Sequence, residues 1–280
     1  AHLEEIVLPD SVDSIGEAAF LGCTSLSKIQ LPQSLAKIEA RTFAKCTELW
    51  SINLPATISV IGESAFEGCE WLNSLTIPDQ LREMGAFAFA GSGLKEAHIP
   101  DGIKRLQKGV FKGCTKLTTV TGMQNVGYVD EDVFSGSAVE DLVFSEEIFT
   151  INNAFKECEA LKRIFVPVNI AKFCVDLTEC TSMRDLYLPQ QIDEFSCETS
   201  YGNAITIHAR RGSAWRQKVR VQEVDYIKNN EYDEVIRIEL EKAGLRSTGT
   251  ADLEPVVVQM AEKTGKRASS STAQRRATWN

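Results

Sequence analysis

The sequence predicts an α/β-type repeat solenoid of about nine coils, each 21–23 residues long, and three observations carry that reading. Superposed on itself, the chain returns the pattern Ile15-Gly16-x-x-Ala19-Phe20-x-x-Cys23-x-x-Leu26-x-x-Ile29-x-Leu31-Pro32 again at 38–55 and 61–78. An aromatic position recurs at Phe20, Phe43, Phe66, Phe89, Phe111, Phe134 and Phe155, and a leucine-type position at Leu26, Leu49, Leu72, Leu94, Leu117, Val139, Leu161 and Met183. A proline follows the apolar run in most units, at Pro32, Pro55, Pro78, Pro100, Pro167 and Pro189.

Within one unit, Ile29 and Leu31 alternate with polar Lys28 and Gln30, the pattern of a short strand with one buried face. Proline cannot donate to a strand ladder, so Pro32 ends the strand and turns the chain. A second extended piece, Val12-x-x-Ile15 and its equivalents, leads into an expected helical turn around Ala19 and Phe20. A lone unit cannot cover its apolar side. Stacked units bury a continuous core in which each Phe contributes about 1.5–3 kcal/mol. The pattern weakens where Gly122 and Ser145 replace the proline and where 201–204 lack the Phe-x-x-Cys signature, so those coils are expected to be irregular. With neighbouring strands roughly 4.8 Å apart, the concave β-sheet would run about 40–45 Å.

With 43% hydrophobic and 25% charged residues, the chain of 280 residues can bury a sizeable core. A net charge of −9 and a pI near 5.1 argue against nucleic acid or an anionic membrane surface as partner. There is no apolar run of the roughly 18–20 residues that a membrane span needs, so no membrane insertion is expected. Nor does a charged start with an apolar stretch behind it open the sequence. Residues 3–9 read as the end of a repeat, from which either a chain that continues upstream or a processed segment that is missing is expected.

Histidine occurs only at His2, His98 and His208, and neither a zinc-protease motif, a nucleophile elbow nor a phosphate loop is present. Acidic pairs such as Glu131-Asp132 and Glu146-Glu147 fall where loops are expected. The sequence thus points to no catalytic residues, no metal and no cofactor, and to a protein that binds rather than catalyses.

Six of the eight cysteines, Cys23, Cys46, Cys69, Cys114, Cys158 and Cys180, share one repeat position, which Ser92 and Ser137 fill elsewhere. A position that takes Cys or Ser asks for a small side chain, and a buried ladder of thiols meets that need. Disulfides between adjacent coils are the alternative, since stacked coils come within range. Cys174 and Cys197 lie outside the ladder and are the candidates for exposure.

The pattern Leu-Pro-x-Ser-Val-x-x-Ile-Gly-x-x-Ala-Phe-x-x-Cys, as it stands at 8–23, resembles the BspA-like branch of the leucine-rich repeats. The likeness covers about 1–225, and 205–221 resembles the coil and short helix that close such arrays. The resemblance implies a leucine-rich repeat array at 1–226, on the surface of a bacterium or protist or secreted, with a host or matrix protein as ligand. Unpaired thiols pull the other way, towards a reducing, cytoplasmic compartment.

Alternation across the strand yields two outward columns on the concave sheet. The first reads Lys28, Ser51, Ser74, Glu96, Thr119, Asp141, Arg163, Asp185, and the second Gln30, Asn53, Thr76, His98, Thr121, Val143, Phe165, Tyr187. Aromatic and arginine side chains are enriched at binding hot spots. The candidate partner-binding residues are therefore Asp141, Val143, Arg163, Phe165, Asp185 and Tyr187. Against this stands the reading that Phe165 and Tyr187 only stack on each other or lie under the chain's own C-terminal segment.

After Tyr226 the period is lost, and 227–280 reads as a separate segment with helices expected at 230–243 and 253–263. Residues 263–280 carry Lys263, Lys266, Arg267, Arg275 and Arg276 with no acidic residue, a composition that favours disorder. Ser269 and Thr278 each follow a basic pair and a spacer, as in substrates of kinases that prefer basic residues, and are the phosphorylation candidates. The function expected is protein binding, by a surface adhesin or receptor-like protein. The alternative is an intracellular scaffold with a regulated basic tail.

Overall fold

Most coils contribute two short strands to the stack, and these pair in parallel with their counterparts in neighbouring coils, in sheets broken at several coils. The computed structural model describes residues 2–189, 191–199, 205–210, 223–225 and 255–259, and it is a parallel β-solenoid of about nine turns. The first strands run Glu5–Val7, Lys28–Gln30 and Ser51–Ile52, then Glu96–His98 with Thr119–Thr121, then Asp141–Val143, Arg163–Phe165, Asp185–Tyr187 and Thr206–Arg210. The second strands run Lys37–Ile38, Val60–Ile61 and Glu83–Met84, then Arg105–Leu106, Tyr128–Val129, Thr150–Asn152, Lys172–Leu177 and Glu194–Thr199.

The register is that of the outward columns: Asp141, Arg163 and Asp185 are paired in turn, as are Val143, Phe165 and Tyr187. The inward partners Leu142, Ile164 and Leu186 are buried. Between the sheets, rings stack from Phe20 to Phe155, with neighbouring centroids 5.4 Å apart at Phe43–Phe66 and 6.1 Å apart at Phe134–Phe155.

The segment around Ala19 and Phe20 is a pair of tight turns instead of the expected helical turn. Ala19, Leu21 and Cys23 donate their amides three residues back within the coil, whereas Ala18, Phe20 and Gly22 donate to Ala40, Thr42 and Ala44 of the next coil. A helix would keep all these bonds to itself. Sharing every second one ties the coils together along this edge as well. The geometry needs a left-handed residue on either side of each Phe, as at Ala18 with φ 55° and Gly22 with φ 69°. Met123–Asn125, a 3-10 turn, is the helix among the described residues.

Part of the stretch 253–263, expected as helix, is a strand: Pro255–Gln259 runs antiparallel to Thr206–Arg210 and to Glu223–Asp225. Three consecutive valines, Val256, Val257 and Val258, favour the extended chain, and the last coil offers an unpaired strand edge to receive it. The helix expected at 230–243, the basic cluster at 263–280 and the candidates Ser269 and Thr278 lie outside the described residues.

Candidate functional site

The six residues expected to form the binding face come together in one cluster, in which the two rings are covered and Asp141 stays exposed. Phe165 is 2% exposed and Tyr187 9%, so neither is the open aromatic that the alternation suggested. Their rings stack at 4.4 Å, and Tyr187 stacks in turn on His208 at 4.2 Å, because in-register parallel strands hold like positions one above another. The Arg163 guanidinium lies 5.8 Å over the Phe165 ring and donates to both carboxylate oxygens of Asp141, at 2.8 and 2.6 Å. His208 Nε2 lies 2.7 Å from Asp185 Oδ1. Val143 packs against the two rings. These groups are occupied with one another, which suits a rigid, ordered end of the sheet.

The other half of the concave sheet is open. Lys28, Gln30, Asn53, Ser74, Thr76, Glu96, His98, Thr119 and Thr121 are all exposed. Beside them stand two tryptophans that the column reading missed, Trp50 at 51% and Trp71 at 63% exposure. They lie on adjacent coils, to either side of the buried Leu49–Leu72 column, with amides bonded to Ser27 O and Thr47 O of the preceding coils. The signal was in the sequence. Ser27 and Asn73 occupy the repeat position of Trp50, and Ser25 and Glu48 that of Trp71, so each indole interrupts a polar column.

A third group lies on the second sheet. Tyr128 and Phe149 are exposed with centroids 6.1 Å apart, and Arg105 sits 5.3 Å over Tyr128 while donating to both oxygens of Asp130.

All eight cysteines are thiols, none of them in a disulfide. In the ladder the five thiols after Cys23 donate to the carbonyl of a Phe in an earlier coil: Cys46 to Phe20 at 3.1 Å, Cys69 to Phe43 at 3.2 Å, Cys114 to Phe89 at 3.0 Å, Cys158 to Phe134 at 2.9 Å and Cys180 to Phe155 at 3.1 Å. Where Ser fills the position, its hydroxyl meets the thiol of the following coil, Ser92 Oγ at 3.4 Å from Cys114 Sγ and Ser137 Oγ at 3.9 Å from Cys158 Sγ. Burial pushes the Cys114 and Cys158 thiols up to about 11, far from the thiolate that nucleophilic or metal chemistry needs. Cys174 and Cys197 are half-buried, and Cys174 is raised by burial and by Glu194, whose Oε1 lies 3.7 Å from its sulfur. No cluster of His, Cys, Asp and Glu suited to a metal occurs among the described residues, and none of their helices is long and apolar enough to cross a membrane.

A solenoid of short parallel strands, a phenylalanine spine and a one-donor thiol ladder defines a leucine-rich repeat scaffold, a class whose members are generally non-enzymatic binding proteins. The chain belongs to the BspA type leucine rich repeat family, which it matches in six copies over residues 1–118 and 86–206. No curated protein matches it. Among solved structures it is similar to a leucine-rich repeat protein from Bacteroides ovatus, at 20% identity over 70% of this chain and 68% of that one, with a TM-score of 0.45. It is also similar to the T. pallidum leucine-rich repeat protein, at 28% identity over 49% of this chain and 77% of that one, TM-score 0.44. A leucine rich cell surface protein from Faecalibacterium prausnitzii is similar at 18% identity over 72% of this chain and 80% of that one, TM-score 0.40.

Proposed function

We propose that the chain is the recognition module of a surface adhesin or receptor-like protein, and that it holds a protein ligand on the open half of the concave sheet, anchored by Trp50 and Trp71. The observation that carries this reading is the exposure of two indoles on neighbouring coils beside polar strand residues. Trp is the residue most enriched at binding hot spots, and a rigid solenoid holds it ready at little entropic cost. Lys28, Gln30, Asn53 and Thr76 supply hydrogen-bonding groups next to it. The surface setting rests on the family resemblance. The rigid cluster of Asp141, Val143, Arg163, Phe165, Asp185 and Tyr187 enters as the support of the far end of that face.

The test compares binding to immobilised extracellular-matrix proteins by wild type, Trp50→Ala with Trp71→Ala, and Tyr128→Ala with Phe149→Ala. A loss of more than about tenfold confined to the tryptophan pair, with circular dichroism unchanged, supports the site. A loss confined to the tyrosine pair moves recognition to the second sheet, and equal retention by all three overturns the reading.

An intracellular scaffold is the second reading, favoured by eight cysteines of which none is in a disulfide. Thiol titration of protein from its native source separates the two, since disulfides would remove the support for it.

A further inference from the structure

Two coils are one residue short between the thiol position and the leucine position: Ser92-Gly93-Leu94 and Ser137-Ala138-Val139 stand where the others have Cys-x-x-Leu. Each leaves a dip in the edge of the solenoid. The first dip is closed. Gly93 approaches the previous coil so tightly that a Cβ there would lie 2.1 Å from Glu70 O, and its amide bonds to Cys69 O at 3.1 Å. Over it, Lys116 from the following coil crosses the short coil and brings Nζ to 3.4 Å from Glu70 O, 46 residues away in sequence.

The second dip lacks both closures. Ala138 carries the Cβ that Gly93 does without, and its amide makes no matching bond among the described residues. Ala160 occupies the repeat position of Lys116 and is too short to cross. What remains is an open groove of about 680 Å³ running from Thr115 past Ser137 and Ala138 to Glu157, Glu159 and Glu179. The three carboxylates are exposed and enter no ion pair among the described residues, whereas Glu140 and Asp141 close by are paired with Lys162 and Arg163 of the next coil.

We propose that this groove binds a basic side chain, as its counterpart does with Lys116, and that its occupant is the chain's own segment 260–280. Position and charge both favour that segment. Gln259 pairs with Thr206, which is in register with Asp185, so the antiparallel strand Pro255–Gln259 ends at the edge where the groove opens. From there the coil of Glu179 is two strand steps away, about 10 Å, and that of Ser137 four steps, about 19 Å. Lys263 and Lys266 follow Gln259 by four and seven residues, reaches of up to about 13 and 23 Å. Segment 260–280 sets Lys263, Lys266, Arg267, Arg275 and Arg276 against a single acidic side chain, Glu262, so the carboxylates of the groove would answer a basic excess the segment does not balance itself. The same segment carries Ser269 and Thr278, and phosphate there, at about −1.5 to −2 charges each, would oppose the docking.

Zero-length carbodiimide coupling of the full chain at high dilution, followed by mass spectrometry, tests the assignment. The expected result is a link from Lys263 or Lys266 to Glu157, Glu159 or Glu179, lost at high salt and in the variant that combines Glu157→Gln, Glu159→Gln and Glu179→Gln. The 2.6 Å pair Lys162–Glu140 serves as internal control. A link at the control without one at the groove overturns the proposal, as do links scattered over remote carboxylates such as Glu17 and Glu48. Links found only between differently isotope-labelled copies would give the groove to a second molecule and equally overturn the intramolecular occupant.

Discussion

The thiol of Cys69 donates to the carbonyl oxygen of Phe43, 26 residues earlier in the chain and one coil below, at 3.2 Å. That oxygen already accepts the amide of Cys46 at 3.1 Å, so the thiol adds a second bond to a carbonyl the coil has itself satisfied. The ladder is therefore a joint between coils, made by a weak donor that also fills space as a small hydrophobe.

The buried ladder thiols, Cys46, Cys69, Cys114, Cys158 and Cys180, should react only when the protein unfolds, and they should make it sensitive to alkali. Burial raises Cys46 and Cys180 to about 12 and Cys114 and Cys158 to about 11, from an ordinary value of 9.0. Below pH 9 both states hold the proton and stability does not depend on these groups. Between 9 and 11 the unfolded chain loses protons that the folded chain keeps, so stability falls as pH rises, and steeply because several thiols titrate together. Denaturant midpoints should drop over that window. In the native protein at neutral pH, a thiol reagent should label the half-buried Cys23 and Cys174 ahead of Cys69, Cys114 and Cys158. Equal labelling of all eight would contradict the ladder.

Phe66 is wholly buried and stacked between Phe43 and Phe89 at 5.4 Å on both sides. Its replacement by Ala should cost about 3–5 kcal/mol, because two rigid neighbours cannot collapse into the space. Asn53, exposed on the open sheet, should tolerate Ala within about 0.5 kcal/mol. Chemical denaturation of the two variants checks the contrast, and the reverse order would mean the repeat register is misplaced.

Phe165→Ala, taken as a change on an open surface, would leave stability alone. In the structure it removes a buried ring held between Val143, Tyr187 and the Arg163 guanidinium, and it should destabilise by about 3 kcal/mol or more. Tyr187→Ala should act similarly by opening the stack to His208. Urea unfolding with both variants decides it. A loss of ligand binding with no change in the midpoint would restore these residues to the contact surface.

Much of this was legible in the sequence because a repeat is measured many times over. The phenylalanine position, the thiol position and the inward apolar residues each recur, and one register accounts for all three, so Phe66, Cys69 and Ile61 could be placed from their spacing. The two outward columns followed from alternation alone. Alternation tells which side of a sheet Phe165 faces and not whether that side is open, and Phe165 and Tyr187 are buried in a stack, as the alternative reading of these two rings had it. Trp50 and Trp71 were legible as breaks in polar columns, a signal that appears only when the residues flanking the leucine position are compared down the repeats. The turns were the least legible part. Residues as different as Ala18, Arg41, Ser64 and Phe87 all take a left-handed conformation before the conserved ring position, because hydrogen bonds to the next coil hold the backbone there whatever the side chain.

The left-handed position after the ring offers the cleanest test of that turn geometry. Gly22, Gly68, Gly91, Gly113 and Gly136 occupy it with φ of 64–70°, whereas Lys45 takes it at 61° with a side chain in place. A non-glycine residue in this region costs about 1–2 kcal/mol, against about 0.5–1 kcal/mol for the extra unfolded-chain entropy of Gly. Lys45→Gly should therefore stabilise, by up to about 1 kcal/mol. Lys45 is exposed, so little packing is lost with its side chain. Gly68→Ala should destabilise by a similar amount, and for backbone reasons only, since a Cβ there would meet Lys45 Cα at an ordinary 3.8 Å. Paired thermal melts give the answer directly. If Lys45→Gly lowered the melting temperature as much as Gly68→Ala does, the left-handed turn would not be the conformation at that site.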